Sequence, residues 1–207
     1  MQNKDREIGC TPEDGLKPGT WTSLPGGGII FVKRPNDAEM VNLYAQTQEE
    51  ISPDIAPLEY ALAVYKHNRD AFLGLYTADD ESRNNAQLVG YYSFLHLTQE
   101  GRDLLEQGTL DVLHPDTKYI VPYGERPAAI YVWAVVARKV NRFVMPLVAK
   151  ALGKELYGGV ALYATAGTLG GMNVLKGAGF EGARDNNPGL GKLFRLDAPL
   201  PSAIRAA

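Results

Sequence analysis

The chain has 207 residues, 45% hydrophobic and 22% charged, with a formal net charge of -3. That length suits one domain with its own hydrophobic core, and the slight acidity excludes the broad basic field that nucleic acid recruits. The single Cys10 rules out an internal disulfide and fits a reducing compartment.

Residues 1–28 are rich in Gly, Pro, Thr and charge, with Trp21 the one large apolar anchor. They read as an extended N-terminal arm without the apolar stretch of a secretory signal. Gly26, Gly27 and Gly28 are not followed by the Lys-Ser/Thr of a phosphate loop, so they read as the entry to a strand. That strand is the β-branched and aromatic run Ile29–Lys33. Asn36 or Asp37 can cap a helix from Ala38 to about Glu50, with Met40, Leu43 and Tyr44 on one face. After Pro53 and Pro57 a second helix is expected over Leu58–Arg69. Strands Ala71–Thr77 and Gln87–Leu97 flank the polar turn Asp79–Asn85 and make a hairpin. An insertion over residues 98–127 holds a short helix, Gln99–Gln107, and a Pro-rich loop. Ala129–Val136 is apolar on both faces, which argues for a central strand. The apolar run around it, Ala128–Ala137, is too short for a membrane span of about 20 residues. A helix over Asn141–Leu156, a strand Gly159–Thr165, a helix Leu169–Gly177 and a strand Lys192–Leu196 complete the order. Strands and helices mixed in this way, with one hairpin, predict an α/β mixed sheet.

The stretch Leu162–Phe180, LYATAGTLGGMNVLKGAGF, runs from a strand through a helix to Gly179-Phe180. This order resembles the last motif of the GNAT acyltransferase superfamily, Asn-x-x-Ala-x-x-x-Tyr-x-x-x-Gly-Phe. Counted back from Gly179-Phe180, Thr168 takes the Asn position, Gly171 the small position and Leu175 the Tyr position. The resemblance spans about Ile29–Leu196. It implies a mainly antiparallel sheet with a splayed parallel pair at its centre, Ala129–Val136 beside Gly159–Thr165, and flanking helices. Residues 29–207 would be the acyltransferase domain.

The resemblance also implies a site. Acetyl-CoA would lie between those two strands, with Val135, Val136 and Ala137 offering backbone contacts to its pantetheine arm. In the family a Gly-rich loop and a helix N-terminus bind the pyrophosphate, since free N–H groups and the helix dipole favour an anion. Here the equivalent segment carries Arg138, Lys139, Asn141, Arg142 and Phe143, a basic cluster in place of the glycines. Thr168 would help position the cofactor. Leucine cannot donate a proton, so the tyrosine that protonates the departing thiolate is absent at Leu175. Tyr131 and Tyr163 are the candidate replacements, and each also reads as an ordinary packed tyrosine. His96, at a strand end, and Glu125 are candidate bases; His67 and His114 read as loop residues. No spacing of His, Cys, Asp or Glu suggests a metal site.

The expected activity is acyl transfer from acetyl-CoA to an amine, on a small molecule or a peptide, in the cytoplasm and without nucleic acid or membrane. A homodimer is left open. A second reading is a catalytically inactive GNAT-fold module that binds CoA or a protein partner. A third is an unrelated α/β binding protein.

Overall fold

The computed structural model describes residues 21–25, 27–50, 55–136, 158–166, 169–184 and 192–197. Eight strands of these residues form one sheet: β1 (Trp21–Ser23), β2 (Ile29–Lys33), β3 (Phe72–Ala78), β4 (Gln87–Leu97), β5 (Ala129–Val136), β6 (Ala161–Thr165), β7 (Glu181–Arg184) and β8 (Leu193–Leu196). Their order is β1-β2-β3-β4-β5-β6-β8-β7. Only the β5–β6 pair among these is parallel, as the position of the two strands in the sequence predicts. The helix expected over Asn141–Leu156 and the turn Asn186–Gly189 lie outside the described residues.

Among the described residues, four helices accompany the sheet: α1 (Asp37–Glu50), α2 (Leu58–His67), α3 (Gln99–Gln107) and α4 (Leu169–Gly177). A reciprocal cap starts α1. The Glu39 N–H donates to Asn36 Oδ1 at 2.8 Å, and the Asn36 N–H donates to Glu39 Oε2 at 2.7 Å, so two otherwise orphaned donors are satisfied. Thr98 accepts the Gly101 N–H at the start of α3, and Gly108 ends that helix in the left-handed region at φ 77°. Gly179, at φ 88°, does the same beyond α4.

α2 is expected to reach Arg69 and instead stops at His67. Asn68 adopts an extended backbone, and its side chain accepts the Asp70 N–H at 2.9 Å. This local bond competes with the helical ladder and turns the chain through a 3₁₀ turn, Arg69–Ala71, into β3. Two strands have no counterpart in the sequence reading. β1 lies inside the segment read as an arm and pairs with Ile29–Phe31. β7 falls between Phe180 and the last strand.

The two faces of the sheet carry separate cores. One gathers Met40 and Leu43 of α1, Val64 and Tyr65 of α2 and Leu105 of α3 against Phe72, Tyr91, Leu95, Tyr131 and Tyr163. The other gathers Ile30, Leu75, Phe94, Ile130, Phe180 and Phe194, with Met172, Leu175 and Ala178 packed against them. The insertion folds back on the end of β4: Ile120 bridges Leu97, and the Val121 N–H donates to the His96 carbonyl at 2.8 Å.

One bulge resets the faces of β5. Phe94 lies opposite Val132 and Ser93 opposite Ala134, so Trp133 is the extra residue. Strict alternation predicts Tyr131, Trp133 and Val135 on one face. The bulge instead keeps Tyr131 and Trp133 with Ala134 and Val136 on the face of α1–α3, and turns out Val135, which is 40% exposed.

Candidate active site

β5 and β6 pair from Ala129–Ala161 to Val132–Ala164. Beyond that point β5 runs on to Val136 while β6 ends at Thr165. Among the described residues no strand continues the ladder opposite residues 133–136 on the β6 side. A parallel pair that stops pairing in this way leaves a cleft edged by backbone N–H and C=O groups.

Tyr131 lies one pair before the end of that ladder. It is buried, and its hydroxyl is hydrogen-bonded to the hydroxyl of Thr165, the first β6 residue past the last pair. Burial pushes its pKa up, against a smaller pull from Thr165, so it is a protonated phenol at neutral pH. Tyr163 is its partner in the β5–β6 register. The Tyr163 hydroxyl donates to the Glu106 carboxylate of α3. Burial first, then the Glu106 hydrogen bond and charge, push Tyr163 up to about 12. Burial works to raise Glu106, but hydrogen bonds from Tyr163 and Arg102, with the charges of Arg102 and Arg195, hold it below the usual carboxylate range. Tyr163 is thus committed to an ion-pair cluster, and Tyr131 bonds Thr165 where the ladder ends.

The same tyrosine walls a pocket of ≈ 140 Å³ between α1, α2 and the sheet. Met40, Leu43 and Tyr44 of α1 and Ala61 of α2 form one side. Phe72 of β3, Tyr91 and Ser93 of β4, and Tyr131, Trp133 and Ala134 of β5 form the floor. Val112 and Leu113 of the insertion close the rim. The Trp133 indole N–H donates to the Val112 carbonyl at 2.7 Å, which pins the rim to the bulge. At the back, buried Thr47 donates to the Leu43 carbonyl at 2.7 Å and shares a 3.0 Å hydrogen bond with the Tyr91 hydroxyl.

The residues named from the sequence are thus divided. Tyr131 lines the pocket and bonds Thr165 at the end of the β5–β6 ladder. His96 is not a surface residue at a strand end: it is fully buried, and its ring packs edge-on to Phe94 with centroids 6.3 Å apart. Alternation along β4 puts it with Phe94 on the sheet face opposite the pocket. Burial there removes it from the reach a base needs. Glu125 is exposed in the insertion. His67 bonds the Ile120 carbonyl at 2.9 Å, and exposed His114 bonds Asp111 at 3.1 Å. Val135 and Val136 edge the cleft. Ala137, Arg138, Lys139, Asn141, Arg142, Phe143 and Thr168 lie outside the described residues. Leu175 packs against the core that holds Phe180 and Phe194, on the face opposite the pocket. Sequence reasoning missed Tyr91, Ser93, Val112 and Leu113. Alternation along β4 could have paired the first two; nothing in the loop marks the others. Among the described residues, no group of His, Cys, Asp and Glu could hold a metal ion, and no helix is long and apolar enough to cross a membrane.

A GNAT-family acetyltransferase from Listeria monocytogenes 4b F2365 resembles this chain, with a TM-score of 0.50 and 11% identity over 86% of this chain and 99% of that one. The fold is GNAT-like. At that identity the likeness concerns the fold alone, which here comprises the mixed sheet with its one parallel pair. Also similar are PH1933 from Pyrococcus horikoshii OT3, with TM-score 0.49, 15% identity and coverage of 82% and 99%, and Arabidopsis thaliana NAA60, solved with a bisubstrate analogue, with TM-score 0.47, 15% identity and coverage of 81% and 97%. No protein-family model and no curated protein matches the chain.

Proposed function

We propose that this chain transfers an acetyl group from acetyl-CoA to an amine. One observation carries the reading: Tyr131 lines the pocket and also bonds Thr165 where the β5–β6 ladder ends. Donor and acceptor would therefore meet at one side chain. The backbone edge of β5 over residues 134–136 suits the amide-bearing pantetheine arm, with the phosphates at Arg138–Phe143. The acceptor enters from the pocket, its amine directed at the thioester carbonyl. The C–N bond forms, the C–S bond breaks, and the sulfur keeps the electron pair. Tyr131 donates its phenolic proton to that sulfur and recovers one from the amine, so the balance closes without a further reagent. A thiol with a pKa of about 8–9 needs only modest help to leave.

The acceptor is a small-molecule or peptide amine, the location is cytoplasmic, and residues 29–207 form the catalytic domain. Leu175 favours a second reading, a module that binds CoA without turnover, because the usual acid position is filled by a leucine packed against the core of the opposite face. Calorimetric titration with acetyl-CoA, followed by release of free CoA thiol across a panel of amines, tests both. The acyltransferase reading expects binding and thiol release that Tyr131→Phe lowers. Binding without release selects the module, and no binding sinks both.

A further inference from the structure

Among the described residues, every polar side chain in the pocket wall is already engaged within the fold. The Tyr91 hydroxyl bonds Thr47, the Tyr44 hydroxyl accepts from Gln48 at 3.2 Å, the Trp133 N–H bonds Val112, and the Ser93 hydroxyl lies 3.4 Å from the Ala134 carbonyl. The Tyr131 hydroxyl bonds Thr165 at the end of the β5–β6 ladder. None of the described residues lining the space is Asp, Glu, Lys, Arg or His. What the wall offers a guest is ring faces and alkyl groups. Phe72 sits among them, with its ring centroid 5.8 Å from Tyr91 and 6.0 Å from Trp133, both at inclined angles. Rings so arranged accept one more ring edge-to-face or offset. The volume, ≈ 140 Å³, matches one such ring, since an apolar cavity of about 150 Å³ holds benzene.

Resting on the acyltransferase reading, we propose that the acceptor is a primary arylalkylamine. Its single six-membered ring fills this pocket, and a short alkyl chain carries the amine past Tyr131 to the cleft. A polyamine or a lysine-like chain would leave the ring faces of the described wall unused. A linear alkyl chain would forgo the ring contacts.

The test is calorimetric titration of the purified protein with 2-phenylethylamine, hexylamine and spermidine, with and without acetyl-CoA. Phenylethylamine should bind about 10-fold or more tighter than either comparator, as burial of one ring implies. Ala61→Phe, which fills the pocket from α2, should weaken it by at least about 10-fold. Leu113→Trp, at a rim position 43% exposed, narrows the mouth without touching the core and should weaken it too, so a misfolded Ala61→Phe does not end the test. Spermidine or hexylamine binding as tightly as phenylethylamine, or full phenylethylamine affinity in both folded variants, overturns the assignment. Ring binding with no thiol release from acetyl-CoA supports the pocket and overturns acyl transfer. Thiol release with polyamines alone overturns the pocket and leaves acyl transfer standing.

Discussion

Removing one oxygen from Tyr131 separates its structural and chemical roles, because phenylalanine keeps the ring in the pocket wall. Tyr131→Phe loses the hydrogen bond to Thr165 and should cost about 1 kcal/mol of stability, read from urea midpoints. If the phenol supplies the proton, turnover falls by about 10²-fold or more while the Kd for acetyl-CoA holds. Tyr163→Phe is the matched control. Its hydroxyl serves Glu106, which keeps Arg102 at 3.1 Å as a partner, so turnover should be unchanged. Equal losses in the two variants would remove Tyr131 from the chemistry. Leu175→Tyr, which installs the residue of the GNAT motif at that position, would place its phenol against the core of the opposite face, away from the pocket. It is expected not to restore turnover to Tyr131→Phe.

At the scale of elements, the join of β4 and β5 is the sensitive point. A Cβ on Gly90 would lie 2.0 Å from the Val136 carbonyl oxygen, a backbone atom that cannot swing aside. Gly90→Ala should force the strands apart beside the cleft and cost about 2–3 kcal/mol. A methyl group on Gly177, at the end of α4, would meet no described atom within 4 Å. Gly177→Ala should be neutral or stabilise by about 0.5 kcal/mol. Thermal unfolding of both variants checks the pair, and similar shifts in Tm would mean the strands give more easily than their spacing implies. The same elements explain what the sequence could reveal. Ile29–Lys33, Gln87–Leu97 and Ala129–Val136 carry β-branched and aromatic residues over enough positions to be read directly, and Thr98 and Asn36 mark helix starts. β7, Glu-Gly-Ala-Arg, has no such residue; pairing with β8 makes it a strand. The Trp133 bulge is one extra residue with no compositional mark, so the face of Val135 was unreadable. The pocket draws on α1, α2, three strands and the insertion, and only the folded sheet brings these together. Tyr131 was legible as a candidate because it sits on the central strand. His96 misled because the insertion folds back over the end of β4 and helps bury it, which nothing in its own segment announces.

For the whole molecule, buried phenols set the alkaline limit. Burial is the main cause that raises Tyr65, Tyr76, Tyr91, Tyr92, Tyr131 and Tyr163 above the ordinary value. In the unfolded chain these groups ionise near pH 10, at about their reference value. The folded protein holds the protons longer, Tyr163 to about 12. Below about pH 10 both states are protonated and the phenols add no pH dependence. Above it the unfolded state binds fewer protons, so stability falls as pH rises from 10 towards 12. Urea midpoints should be flat on this account up to about pH 9 and drop steeply beyond about pH 10, less so in Tyr163→Phe. A flat midpoint through about pH 11 would contradict the burial of these rings.

The sheet order also governs how the molecule is made. β8 is the last described strand in the chain, yet it lies inside the sheet, between β6 and β7. Leu162–Thr165 of β6 find their antiparallel partners only in Leu193–Leu196, and β7 has no other partner strand among the described residues. During synthesis, at about 5–20 residues per second, β6 therefore waits as an open, apolar edge for the thirty or so residues that separate it from β8. Such an edge is a template for pairing with another chain. The nascent protein is most exposed to aggregation in this interval, and a released chain truncated before Leu193 should bind a chaperone that the full-length chain does not.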